Sequence, residues 1–313
     1  MQAVSMRGLR ALGILGMNAR NINYIGRYNQ RCLYPLVDDK LKTKKLAQRY
    51  NVPAPALHFV IREQHRLRHI ETRLYRLNGF VIKPAKGSGG KGILVIRARQ
   101  GADFITSSGA TMSLKRVKRH ISNILAGLYS LAGSPDVAMV EEVIEFSELF
   151  APYSYQGVPD IRIVVFKGYP VMAMLRLATR TSNGKANLHQ GAVGVGIDIR
   201  NGISVQAVQF SLPLRAHPDT GAVLKDIHLP QWPEILHLAA RCYDMTGLGY
   251  LGADIVLDRD NRPMLLELNA RPGLTIQAAN GVGLLPRLRH IEGLKSTHPE
   301  ARQRAEYVAH AFE

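Results

Sequence analysis

Apolar and polar positions alternate most tellingly between residues 80 and 96, FVIKPAKGSGGKGILVI. Two short apolar runs, residues 80–82 and 93–96, flank a loop that carries Gly87, Ser88, Gly89, Gly90 and Gly92 with Lys86 and Lys91. Pro84 keeps the first run from continuing as a central strand, and the β-branched Ile93, Val95 and Ile96 favour a strand after the loop. The pattern predicts strand, glycine loop, strand, with Lys83 closing the first strand. Elsewhere the spacing predicts a helix over 40–50 capped by Asp38 or Asp39, a strand over 57–61, and a charged helix over 62–77 with Ile70, Leu74 and Leu77 on one face. A loop over 101–109, a long helix over 114–131 and a strand over 137–144 come next, and residues 149–159 read as an ordered surface loop. Three hairpins are expected: 161–166 with 171–176, 187–199 with 203–209 about Asn201-Gly202, and 252–257 with 263–268. An amphipathic helix at 231–245 precedes the third, and helices near 274–280, 284–292 and 298–311 close the chain. Residues 1–37, basic and dotted with Tyr24, Tyr28 and Tyr34, read as an arm.

Glycines let a backbone approach a ligand closely, and their N–H groups can cradle phosphate oxygens, with lysines as countercharge. Three templates compete. Gly87, Gly89 and Gly92 match G-x-G-x-x-G, but the dinucleotide fingerprint needs a helix directly after the loop, where a strand is expected. The P-loop pattern fails because Ala85 stands for its first glycine and Gly92 for its Ser/Thr. No V-A-I-K, H-R-D or D-F-G follows, as a protein kinase requires. What remains is a glycine-rich flap over a nucleotide, or a mobile surface hairpin.

The formal charge of +17 changes the picture by favouring polyanionic partners, without choosing among nucleotide, acidic peptide, nucleic acid and an anionic membrane face. A hydrophobic content of 46% over 313 residues supports a real core. Cys32 and Cys242 make neither a disulfide framework nor a zinc motif. No apolar run reaches the roughly 20 residues of a membrane helix, and the N-terminal run has no cleavage site, so a cytoplasmic protein is expected.

A second stretch, GADIVLDRDNRPMLLELNARPG over 252–273, holds paired carboxylates. If its hairpin turns symmetrically about Asp260-Asn261, Asp254 lies opposite Glu267, and Asn269 shares the face of Glu267. Facing carboxylates repel unless a cation lies between them, and these hard oxygen donors suit Mg²⁺ (or Mn²⁺). The alternative is that Asp254 caps a strand end and Glu267 is an exposed strand residue.

Together these motifs resemble the ATP-grasp superfamily, and within it the alpha-L-glutamate ligase branch that glutamylates ribosomal protein. The residues that carry the resemblance are Lys40 in VDDKLKTKKLA, Lys83 in VIKPAKGSGGKG, VEEVI ending at Ile144, Asp160-Ile161-Arg162, Asn187-Leu188-His189, Gly252–Ile255 and Glu267–Gly273, over about residues 38–290. The resemblance implies an α+β ATP-grasp fold, with two α+β subdomains clasping ATP between them and a truncated N-terminal region. The division it implies is an arm at 1–37, a flap-bearing subdomain at 38–139, a Mg²⁺-bearing subdomain at 140–295 and a helical tail at 296–313. Lys40, Lys83 and the flap from Gly87, Ser88, Gly89 and Gly90 to Gly92 would contact ATP phosphates. Glu141, Glu142 and Ile144 would line the adenine side, Glu148 would reach ribose, and Asn187 would join the nucleotide site. Asp254, Glu267 and Asn269 would hold Mg²⁺. Arg162, Arg176 and Arg271 would neutralise the transferred phosphoryl group or bind a carboxylate.

The implied chemistry joins a carboxylate to an amine through an acyl phosphate, adding glutamate or a similar amino acid to a peptide or protein acceptor. The charge suggests an acidic acceptor. The short N-terminal region suggests an acceptor site that is reduced, or completed by a second copy or a partner protein. The rivals are a catalytically weak ATP-binding scaffold and a nucleic-acid-binding module, the latter unlike this sequence in motif. Bland readings stay open: Lys40 as a solvated helix lysine, Glu141 and Glu142 as an exposed strand end, His189 as a structural hydrogen-bonder and Arg176 as the partner of a surface acid.

Overall fold

Short β-branched runs, separated by glycine and asparagine turns, make two antiparallel sheets. The computed structural model describes Gly8 and residues 11–87, 89–130 and 133–312. The chain divides into two compact units. One comprises Asp38–Lys45 and Ala54–Glu145; the other takes residues up to Val37, Leu46–Pro53 and everything from Phe146 onward.

The first unit holds six strands: β1 Leu57–Ile61, β2 Phe80–Pro84, β3 Leu94–Gln100, β4 Asp103–Thr106, β5 Thr111–Ser113 and β6 Ala138–Glu141, in the order β1-β6-β2-β3-β4-β5. Its core joins Phe80, Ile82, Ile96, Phe104 and Val140 to Val117, Ile121 and Ile124 of the helix over Leu114–Leu125. Helix α1 runs Lys40–Arg49, and its cap is Asp39, whose Oδ1 accepts from Leu41 N and Lys42 N. Helix α2 runs Leu114–Leu125, shorter than the spacing predicts. Gly127 turns the chain at φ +83°, and a Cβ there would lie 2.4 Å from the Ser134 carbonyl oxygen. The expected helix over 62–77 is instead a 3₁₀ stretch, Gln64–His69, and one helical turn, Glu71–Leu74. Arg62, Arg66, Arg68, Arg73 and Arg76 would put like charges together along a continuous helix. The loop expected at 101–109 contains β4, held by the fully buried Phe104.

The second unit holds β7 Asp160–Phe166, β8 Tyr169–Leu177, β9 Val193–Ile197, β10 Ser204–Gln209, β11 Leu212–Leu214, β12 Tyr250–Leu257 and β13 Pro263–Asn269, in the order β11-β10-β9-β8-β7-β12-β13. Strands β8 and β12 are buried at every position. Helices α3 (Trp232–Thr246), α4 (Thr275–Asn280), α5 (Leu285–Glu292) and α6 (Ala301–Ala311) belong to this unit, and α3, α4 and α6 pack on its sheet. Only 193–197 of the expected 187–199 strand is extended, because a 3₁₀ turn, Leu188–Gln190, ends at Gly191 with φ +101°. The loop expected at 149–159 contains a 3₁₀ stretch, Glu148–Tyr153, whose start is capped by Ser147.

Residues 11–37, expected as an arm, fold onto this unit. They are helical over 17–28, with a π-helical stretch at Arg20–Ile25. The Arg20 guanidinium donates to the Pro272 carbonyl (2.8 Å), and Asn29 bonds both the N–H and the C=O of Tyr250. Tyr24 and Tyr28 set their rings edge-on to Phe166, at 5.5 and 4.9 Å between centroids.

Candidate functional site

In the six-stranded unit, three charged side chains converge inside the protein. Lys83 is the next-to-last residue of β2, which runs through Pro84 as an inner strand where the proline was expected to stop it, because Pro84 still pairs with Ala138. Glu141 ends β6, and these strands are paired. Lys83 Nζ lies 2.5 Å from Glu141 Oε2, and Lys44 Nζ lies 3.2 Å from Oε1. All three residues are buried, Glu141 to 2% exposure. Lys44 also donates to the Pro55 carbonyl (2.6 Å). Oε1 has no other hydrogen-bond partner among the described residues, and Lys44 holds it as an ion pair. The buried members sum to one positive charge. Burial drives the Lys44 pKa down to about 8, with Glu141 opposing and Lys83 adding to the fall.

The glycine loop is anchored at both ends. Lys40, the first residue of α1, donates through Nζ to the Gly87 carbonyl (2.7 Å), and Gly87 bridges to Ser130. At the other end His120 of α2 meets the Gly92 carbonyl through Nε2 (2.9 Å), beside the ring of Tyr129. Burial lowers the His120 pKa. Gly89, Gly90 and Gly92 all have positive φ, and Ser88 lies outside the described residues. Glu142, exposed, accepts the Ala56 N–H at 3.3 Å, and Ile144 is half-buried.

In the seven-stranded unit, register builds the cluster. Arg162 of β7 faces Asp254 of β12, which faces Glu267 of β13, and Asp160 faces Arg176 of β8. These residues share one sheet face. The expected Asp254–Glu267 pairing is present. It holds for Gly252, Ala253 and Asp254, and a bulge after Asp254 shifts the rest. Arg162 grips Asp254 with two bonds (2.6 and 2.5 Å). Arg176 bonds Asp160 twice (2.5 and 2.7 Å) and Asp254 once (2.6 Å). Burial alone would raise the Asp254 pKa, but the two guanidiniums overcome it and bring it to about 2. For Arg176, the two carboxylates outweigh burial and raise the pKa.

Other expected residues have other surroundings. Asn269 Oδ1 accepts the Arg271 N–H, and the Arg271 guanidinium sits over the Tyr34 ring, 4.8 Å from its centroid. Asn187 caps the 3₁₀ turn by accepting the His189 N–H (3.0 Å). Glu148 is exposed at the start of its 3₁₀ stretch.

The donor set can accept a hard cation. Asp254 is ionised, and its Oδ1 takes one guanidinium bond where a carboxylate oxygen offers two lone pairs. Glu267 and the Asn269 amide complete two carboxylates and one carbonyl-type oxygen, a set that suits Mg²⁺. Among the described residues, no three His, Cys, Asp or Glu side chains group as metal ligands. The excess positive charge around Glu141 suits a phosphate. Sequence reasoning gave no role to two participants. Lys44 stands four residues after Lys40 on one helix face, and Asp160 shares a strand face with Arg162, so spacing could have found both.

A family model described as sugar-transfer associated ATP-grasp matches residues 19–293. Solved structures with a similar fold include an ATP-grasp ligase, PsnB, in complex with its minimal precursor: 15% identity, 83% of this chain, 60% of that chain, TM-score 0.45. A RimK domain ATP-grasp protein from Sphaerobacter thermophilus shows 12% identity, 82% and 68% coverage and a TM-score of 0.45. A D-alanine–D-alanine ligase from Bacillus anthracis shows 12% identity, 83% and 67% coverage and a TM-score of 0.48. The chain thus spans less than two thirds of the PsnB chain. Among curated proteins, none matches.

Proposed function

The chain belongs to the sugar-transfer associated ATP-grasp family, and from that premise we propose that it is an ATP-dependent carboxylate-amine ligase. Its fold is the ATP-grasp fold, of α+β class. The observation that carries the reading is the buried Lys44–Glu141–Lys83 cluster, at the root of a glycine flap and with one positive charge in excess. Two buried lysines on one glutamate leave a positive charge for an anion to balance.

Lys83, Lys40 and the flap from Gly87 to Gly92 would hold the ATP phosphates, with Glu141, Glu142 and Ile144 toward the base. Arg162 and Arg176 would hold a carboxylate or the transferred phosphoryl group, their guanidiniums already oriented by Asp160 and Asp254. A carboxylate oxygen of the substrate attacks Pγ, the Pγ–O bond to ADP breaks, and an acyl phosphate forms. An amine nitrogen then attacks the carbonyl carbon, the bond to phosphate breaks, and the nitrogen gives up a proton. Fixed cationic groups stabilise the redistributing charge in both steps. Mg²⁺ held by Asp254, Glu267 and Asn269 would neutralise phosphate oxygens. A closed flap keeps water from the acyl phosphate.

For substrates, the reading is glutamate or a similar amino acid added to a peptide or protein acceptor, on the resemblance to the glutamate-ligating branch. The +17 charge supports an acidic acceptor. An ATP-binding scaffold is the second reading, favoured by the full engagement of Arg176 between Asp160 and Asp254. The first test is thermal: ATP with Mg²⁺ raises the melting temperature by mass action, and Lys83→Ala removes most of that shift. An unchanged shift in the variant takes Lys83 out of the site.

A further inference from the structure

We infer that Lys44 is a positioning residue: it retains Glu141 when Lys83 turns from that carboxylate to a nucleotide phosphate. The inference rests on the proposal that Lys83 contacts ATP. Lys83 is bound to Glu141 at 2.5 Å, inside the protein. To reach a phosphate it must leave that carboxylate, and a buried carboxylate stripped of its cation is strongly destabilised. Lys44 removes that barrier. It is already 3.2 Å from the other oxygen of the same carboxylate, and the Pro55 carbonyl fixes its Nζ from behind. No other hydrogen-bond partner reaches Oε1 among the described residues, so Lys44 is the cation left on that carboxylate as Lys83 departs. The charge of Lys83 is felt by Lys44 across Glu141 and lowers its pKa.

The charge sum follows the same course. Two lysines and one glutamate leave one positive charge in a buried place, and a phosphate oxygen balances it. Lys44 is held to the core by α1, β6 and the segment at Pro55, so it exchanges no partners of its own. The charged groups facing it are Glu141 and Glu142 at the end of β6 and Lys83 on β2. A Lys44 that loses its proton leaves Lys83 as the sole cation on Glu141.

The test compares affinities for ATP and for adenosine, which lacks phosphates, in wild type, Lys44→Met, Lys44→Arg, Glu141→Gln and the double variant Lys44→Met/Glu141→Gln. Lys44→Met is expected to weaken ATP at least ten-fold and adenosine less than two-fold, because only the phosphate contact needs Lys83. Adding Glu141→Gln to Lys44→Met frees Lys83 and is expected to return ATP affinity to that of Glu141→Gln alone. Lys44→Arg, which holds its charge at any pH used, is expected to keep ATP affinity at pH 7 and to lack the decline expected of wild type between pH 7 and 9. A merely structural Lys44 would weaken both ligands alike, with no restoration in the double variant, and that result overturns the inference. If Lys44→Met does not fold, the Lys44→Arg pH profile decides: a decline equal to wild type overturns it. A wild type that binds no ATP strikes the nucleotide reading itself, and the inference falls with it.

Discussion

Lys44 ionises against its surroundings, and that has a consequence for stability. Unfolded, it holds its proton to about pH 10.5; folded, burial lowers the value to about 8. Between these values the unfolded chain binds more protons, so this residue's contribution to stability rises with pH across that window and is lost as pH falls through 8. Urea midpoints of wild type and Lys44→Met at pH 7.5 and 10 measure it. Wild type is expected to gain on the variant at the higher pH, and parallel midpoints would show that Lys44 is not held as described. At this scale the sequence was readable where arithmetic on a hairpin sufficed, as for Asp254 and Glu267. It was silent where a partner comes from a distant strand: nothing local shows that Arg176 lies between Asp160 and Asp254, or that Arg271 covers Tyr34.

The glycine loop is tied at Gly87 and at Gly92. Gly92 is bonded by His120, and a Cβ there would sit 2.6 Å from the Tyr129 ring, at φ +76°. Gly89 has φ +63° and open space around its missing Cβ. Gly89→Ala therefore costs backbone strain alone, about 1 kcal/mol, whereas Gly92→Ala adds a clash and costs about 3 kcal/mol. Chemical denaturation reads the difference, and the larger loss of ATP affinity is expected in Gly92→Ala. Equal effects would mean that Tyr129 does not fix the flap's end. The flap and its strands were legible because glycine and β-branched residues dictate them locally. Strand β4 was not, since four residues among Gly, Ser and Thr carry little pattern and Phe104 alone, buried against Phe80, pins it. Helix 62–77 failed for the opposite reason: its apolar spacing was right, but its arginines repel.

For the whole molecule, a charge of +17 would act on the approach of an anionic partner rather than on the chemistry. Attraction between exposed charges weakens as the Debye length falls from about 10 Å at 0.1 M salt to about 3 Å at 1 M. The KM for an acidic peptide acceptor is therefore expected to rise several-fold across that range, while ATP affinity, set by close contacts, changes less. Turnover on acidic and neutral peptides of equal length checks it, and indifference to both charge and salt would favour a small-molecule acceptor. The resemblance implied an arm at 1–37, subdomains at 38–139 and 140–295 and a tail at 296–313, whereas the chain runs in and out of two units. It enters the seven-stranded unit, leaves after Val37, returns for Leu46–Pro53 and returns again at Phe146. Such interleaving has no signature in composition. Nor did the basic start of the chain announce its docking, which depends on Asn29 and Tyr24 finding Tyr250 and Phe166 more than a hundred residues away.

The measurement that bears most directly on the proposed ligase is release of ADP and phosphate from ATP-Mg²⁺ in the presence of amino acids and peptides. ADP is expected to form only when a carboxylate substrate is present, with one phosphate released per amide formed. Glu267→Gln is expected to lower the rate at least a hundred-fold at limiting Mg²⁺ while the protein keeps its fold. ADP formation that ignores every carboxylate, or nucleotide binding with no turnover on any of them, would contradict the ligase and leave an ATP-binding scaffold.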